Sequence, residues 1–144
     1  MTTPDHLRKL ERMYLGAPAN VYFQPRIRIE PGLAEVRLAV RPDFFHAAGA
    51  AHGACYFKVL DDATFFAVSS LVEEVFVLTT TFSLYLTRPI DSGEMVATGR
   101  VVHRSRRIYV AEGVVVNDEG KEIARGSGTF MPSEKRLTVE MGYA

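Results

Sequence analysis

Hydrophobic and polar positions alternate, then run together, then alternate again along this chain. Residues 26–30 (Arg-Ile-Arg-Ile-Glu) and 33–40 (Leu-Ala-Glu-Val-Arg-Leu-Ala-Val) switch between apolar and polar at nearly every step, the period of a strand with one buried face. Pro31-Gly32 lies between them, so the two predict a hairpin. Ahead of them, residues 4–15 place Leu7, Leu10 and Tyr14 on one face, with Pro4 and Asp5 suited to a helix start and Gly16 to a stop. That pattern predicts a short amphipathic helix. Residues 41–52 hold Pro42, Asp43 and Gly49 and predict a loop.

From Gly53 to about residue 71 the chain is apolar almost throughout and free of proline. The run is far too long for a strand, and its apolar residues lie on more than one side, so it predicts a helix wrapped on most of its surface. The remainder predicts strands over 75–86, 94–102, 108–116 and 123–131, with turns at Asp91-Ser92-Gly93, 103–107 and Asn117-Asp118-Glu119-Gly120. Short turns predict that these four strands are sequential neighbours. A helix, two strands, a long buried helix and four strands make an α+β layer arrangement, with an antiparallel sheet of about five or six strands over one helix.

Length and charge narrow the classes. The 144 residues suit a single domain. Lys plus Arg and Asp plus Glu number 17 each, which argues against a chain built mainly to grip nucleic acid. The single cysteine, Cys55, excludes an internal disulfide and suits a reducing compartment. No stretch reaches about 18 uncharged apolar residues, so no membrane span is expected. Residues 1–6 carry no basic-then-apolar signal pattern, and the expected location is the cytoplasm.

The feature that demands chemistry is a pair of carboxylates, Asp61 and Asp62, inside the apolar run. Ionised carboxylates in a buried helix are costly unless paired or used. Lys58 lies three and four residues before them and is placed to pair with either. Cys55, three residues from His52, reads as a small buried hydrophobe rather than a nucleophile. His46, His52 and Asp61 match no familiar metal spacing, and no metal or cofactor is expected.

The order of elements and the residues at the helix start resemble the hotdog fold, and more narrowly the acyl-CoA thioesterases of the phenylacetate-pathway type. That family's pattern is an Asn, five residues, His-Gly-Gly opening the central helix, and an Asp nine residues after the His. Here His52-Gly53 opens the helix and Asp61 stands nine positions after His52. The strand ending Leu86-Thr87-Arg88-Pro89 and the closing Ala124-Arg125-Gly126-Ser127-Gly128-Thr129-Phe130 also match. The likeness covers roughly residues 30–131. Ala54 replaces the second glycine, and His46 stands where the family has Asn.

The resemblance implies thioester hydrolysis. The Gly53 N–H would be the oxyanion donor, with Ala54 beside it as a second, helped by the positive end of the helix dipole. Asp61 would be the general base that activates water, or the nucleophile itself. His52 would mark the helix start, His46 would substitute for the Asn, and Thr79 would orient water or the Asp61 side chain. Arg104, Arg106 and Arg107, in a basic hairpin turn, would meet the phosphates of coenzyme A. Phe57 and Phe65 would help line the acyl pocket. Nine residues of helix separate His52 from Asp61 by roughly 13 Å, too far for both to touch one carbonyl. The expectation is therefore a homodimer with sites shared between chains, two such dimers pairing into a tetramer. Its substrate is a small-molecule acyl-CoA. A non-catalytic acyl-CoA binding module on the same fold is the alternative.

Overall fold

The computed structural model describes residues 2–144. In chain order the elements are α1 (Pro4–Gly16), α2 (Pro18–Phe23), β1 (Arg26–Glu30), β2 (Leu33–Ala39), α3 (Gly53–Ser69), β3 (Val75–Leu86), β4 (Glu94–Arg104), β5 (Tyr109–Val116) and β6 (Glu122–Arg136), with short 3-10 turns at Pro42–Phe44 and Val139–Met141. The strands form one antiparallel sheet in the order β1-β2-β4-β5-β6-β3. The sheet wraps α3, whose Leu60, Ala63, Ala67 and Val68 have no solvent exposure. Gly99 of β4 marks how closely the helix lies on the strands. A Cβ there would sit 2.5 Å from the Ala63 backbone, so only glycine permits the approach.

Strand β3 does not lie beside β4 as the short turns suggest. It pairs with β6 alone and forms one edge of the sheet. The reason is the helix. α3 is apolar on nearly every side and must be covered on both flanks. The chain therefore leaves β3 and crosses the start of α3 before entering β4. That crossing is held by Ala51 N–H donating to Ile90 O at 2.8 Å and Tyr56 OH donating to Arg88 O at 2.7 Å.

Two further differences have local causes. A six-residue helix, α2, follows α1 directly, with Pro18 in its first turn and a left-handed Gln24 ending it. Strand β6 runs on to Arg136, through Pro132. Strand β5 pairs with β6 only as far as Tyr109 opposite Phe130, so the proline sits where no third strand needs its missing N–H.

Helix α1 begins as its sequence predicts. Thr3 caps it by accepting the His6 N–H at 3.1 Å, and Leu7, Leu10, Met13 and Tyr14 are buried beneath it. Its Tyr14 hydroxyl reaches the Asp62 carboxylate of α3.

Candidate active site

Asp61 and Asp62 are neighbours with different fates. Asp62 is paired: Lys58 Nζ lies 2.9 Å and the Tyr14 hydroxyl donates at 2.6 Å, both to Oδ2. Burial pushes the Asp62 carboxyl up, and the Lys58 charge and the Tyr14 hydrogen bond pull it back. Burial also pushes the Tyr14 hydroxyl well up, with Asp62 adding to the shift, so Tyr14 stays a donor. Removing that donor as Tyr14→Phe leaves a buried carboxylate short of a partner. The expected loss is about 1.5–3 kcal/mol of stability in urea unfolding; an unchanged midpoint would show the bond contributes nothing.

Asp61 is held by one contact, the Thr79 hydroxyl of β3 donating to Oδ1 at 2.9 Å. Among the described residues nothing donates to its other oxygen. Burial raises its carboxyl to about 6, the Thr79 hydrogen bond opposes that, the Asp62 charge adds to it and the Lys58 charge subtracts. The group is therefore ionised at neutral pH and close enough to neutrality to exchange a proton. It faces a cavity of about 920 Å³ between α1, α2, α3, the start of β3 and the C-terminal segment, with Phe65, Phe66, Phe76 and Tyr14 among its walls.

The start of α3 opens elsewhere. Gly53, His46 and Arg88 line a separate shallow pocket of about 350 Å³. His52 caps the helix, its Nδ1 accepting the Ala54 N–H at 2.9 Å. That bond puts the ring proton on Nε2 and removes Ala54 as a second free donor. The Gly53 N–H meets no acceptor among the described residues. His46 Nδ1 accepts the Ala48 N–H at 3.0 Å, so the ring is engaged within its own turn.

The structure thus brings Asp61, Thr79 and Phe65 together, and Gly53 and His46 together, in two different pockets of one chain. Phe57 lines neither. Its ring stands edge-on to Phe82, 5.5 Å between centroids, and it is exposed. Arg104, Arg106 and Arg107 are exposed at the β4–β5 turn, with the Arg104 guanidinium 5.9 Å from the Tyr109 ring centre. Arg104 and Thr79 share one row across the sheet, through Tyr109 and Phe130, and stand three strand spacings, about 14 Å, apart. Cys55 is a buried free thiol whose pKa burial raises. No group of three His, Cys, Asp or Glu able to hold a metal occurs among the described residues, and no helix there is long and apolar enough to cross a membrane.

Sequence reasoning missed the contributions of Tyr14, Phe76 and Met141 to the cavity. Tyr14 carried a signal only as one more apolar residue on the α1 face. Met141 carried none.

One antiparallel six-stranded sheet wrapped on one long helix is the hotdog fold. A family model for the thioesterase superfamily matches residues 48–124, more than half of the 144-residue chain, and the chain belongs to that superfamily. Among solved structures it is similar to the E. coli PaaI protein from the phenylacetic acid degradation operon, at TM-score 0.86 and 19% identity over 96% of this chain and 100% of that one. It is also similar to a thioesterase family protein from Silicibacter pomeroyi, at TM-score 0.80 and 26% identity over 88% and 96% of the two chains. A conserved protein from Pseudomonas aeruginosa matches at TM-score 0.79 and 27% identity over 85% and 98%. No curated protein matches significantly.

Proposed function

We propose that the protein is an acyl-CoA thioesterase that works as a homodimer, with each site built from Asp61 of one chain and the Gly53 amide of the other. The observation that carries the reading is the half-buried Asp61 carboxylate, held through one oxygen by Thr79 and raised to about 6. Such a group takes a proton from water and returns it within the neutral range. Water oxygen then bonds to the thioester carbonyl carbon, the carbonyl oxygen gains charge against the Gly53 N–H, and the C–S bond breaks. The proton held on Asp61 passes to the departing sulfur. In the alternative, the Asp61 oxygen itself bonds to the carbonyl carbon, the C–S bond breaks to release the thiolate, and water then hydrolyses the mixed anhydride to the free acid and Asp61.

Strand β3 supports the dimer. It is a twelve-residue edge strand with Leu78, Tyr85 and Leu86 about half exposed or more, the kind of edge that pairs with another chain. The packing within one chain places Asp61 against Thr79 and Gly53 against Leu86, whose Cδ1 would lie 3.1 Å from a Cβ at Gly53. Antiparallel pairing of two β3 strands centred near Phe82 and Ser83 sets Thr79 of one chain opposite Leu86 of the other. Each Asp61 then faces the helix start of its partner. Arg104, Arg106 and Arg107 are assigned to the coenzyme A phosphates, and no cofactor beyond the substrate is invoked.

Release of free thiol from a panel of acyl-CoAs tests the function. A binding module would take up the thioesters and leave them intact. The Thr79 contact makes a further prediction. Its hydrogen bond stabilises the ionised carboxylate, so Thr79→Val should raise the Asp61 pKa. The acid limb of the kcat/KM profile, expected near pH 6, should move to higher pH. A limb that stays in place would separate Thr79 from the titrating group.

A further inference from the structure

The cavity that holds Asp61 continues past it. One turn further along α3 stands Phe65, and back along β3 stands Phe76, their rings 5.4 Å apart. Met13 and Tyr14 of α1 form the roof, and the segment Val139–Met141, followed by Gly142, closes another side. Asp61 and Thr79 are the polar groups placed to meet a reacting carbonyl; Asn20, Lys58, Asp62 and Glu140 also reach the lining, and the rest of the walls is mainly apolar. A pocket of about 920 Å³ lies within the size range of small-molecule sites.

The closing segment is tied down on both sides of that wall. The Leu137 N–H donates to Glu74 O at 3.0 Å before it. After it, the Tyr143 hydroxyl meets His6 Nδ1 at 2.6 Å, and His6 Nε2 lies 2.9 Å from Ser69 O. A carbonyl only accepts, so Nε2 carries the proton and Nδ1 accepts from Tyr143. His6 is 2% exposed, which makes this a buried clasp rather than a surface contact. Lys9 Nζ sits 5.4 Å from the Tyr143 ring centre, and Arg12 donates to Ala144 O. Gly142 adopts φ +91 with Met13 Cα 3.3 Å from where its Cβ would be, so the chain lies flat on α1 at a place only glycine takes without strain. Val139 itself is 70% exposed. The wall stands where it does because of the clasp, not because of its own burial.

We propose that this cavity takes the acyl part of the thioester, as an apolar chain running from Asp61 toward Phe65 and Phe76, and that the clasped segment around Met141 is the end wall that limits its length. The proposal rests on the thioesterase reading for its chemistry, and its geometry is testable without turnover. Each methylene that fits should improve binding about fourfold, equivalent to ~0.8 kcal/mol. Past the wall the gain should stop and reverse, because close-packed walls resist extra volume.

The test measures binding of S-alkyl coenzyme A thioethers, which cannot be hydrolysed, from ethyl to hexadecyl by calorimetry. Hydrolysis of the matching acyl-CoAs is measured in parallel. The wild type should show a length limit. Met141→Ala should move that limit to longer chains and Met141→Trp to shorter ones, and Tyr143→Phe, which removes only the clasp hydroxyl, should blur it. Thermal melts of all four proteins confirm folding. A limit that stays put in both Met141 variants and in Tyr143→Phe overturns the proposal, as does affinity that ignores chain length. Thioethers that bind with a Met141-dependent limit while no acyl-CoA is cleaved would uphold the wall and overturn the thioesterase reading instead.

Discussion

Replacing Asp61 with asparagine should lower thiol release from a good acyl-CoA substrate by about 10²–10⁴-fold, the usual worth of a positioned proton acceptor. The swap is close to isosteric. The amide oxygen still accepts the Thr79 hydroxyl that holds Oδ1 at 2.9 Å, so the loss reads the chemistry rather than the shape. The fold should not weaken. An acid whose native pKa is raised, here from 3.8 to about 6, binds its proton more tightly in the folded chain than in the unfolded one. Ionised Asp61 therefore costs stability, and the cost grows as pH rises from about 4 through 6 and stays above that. Asparagine carries no such cost. Asp61→Asn should match the wild type in urea unfolding near pH 4 and equal or exceed it at pH 7. Undiminished thiol release from the variant would remove Asp61 from the mechanism, and a midpoint well below the wild type at pH 7 would make the carboxylate structural.

The contrast between the two aspartates shows what one chain's residue order reveals and what it hides. Lys58 and Asp62, four apart on a helix, are visible as a pair from spacing alone, and the structure joins them at 2.9 Å. Helix α3 is visible because no other element accommodates so long an apolar run without proline. The contact between Asp61 and Thr79 is visible only through the family likeness. It joins residues 18 apart on two elements, and periodicity carries no information about which residue meets which across a gap. The place of β3 is hidden for the same reason. Turn length favours the next strand as a neighbour, and only the need to cover α3 on both flanks sends β3 to β6. His52 announces a helix start, yet its use as the cap for Ala54 N–H depends on the backbone of the preceding loop, which no local pattern specifies. The least legible part is the far end of the cavity. Residues 137–143 follow no strand or helix period, and their position comes from His6, 137 residues away from Tyr143 in sequence.

A proline at position 53 should remove catalysis by about 10²–10³-fold with little effect on stability, because it deletes one N–H and little else. Gly53 is the first residue of α3, after His52 at φ −61 and ψ 146. That is the helical position proline tolerates best, and the preceding residue already has the extended backbone that proline requires. Among the described residues the one atom within 4 Å of a Cβ there is Leu86 Cδ1, the end of a half-exposed side chain that can turn aside. The variant becomes decisive when mixed with Asp61→Asn. If each site takes its carboxylate from one chain and its amide from the other, half of randomly formed dimers are mixed. Each mixed dimer then regains one intact site of two, so equal amounts of two dead proteins should recover about a quarter of wild-type activity after unfolding and refolding together. If Asp61 and Gly53 served the same carbonyl within one chain, no mixture could recover anything. The separate cavities of the two residues and the roughly 12 Å of helix between them favour recovery, and a mixture that stays inactive although mixed dimers are seen by mass spectrometry would end the shared-site architecture.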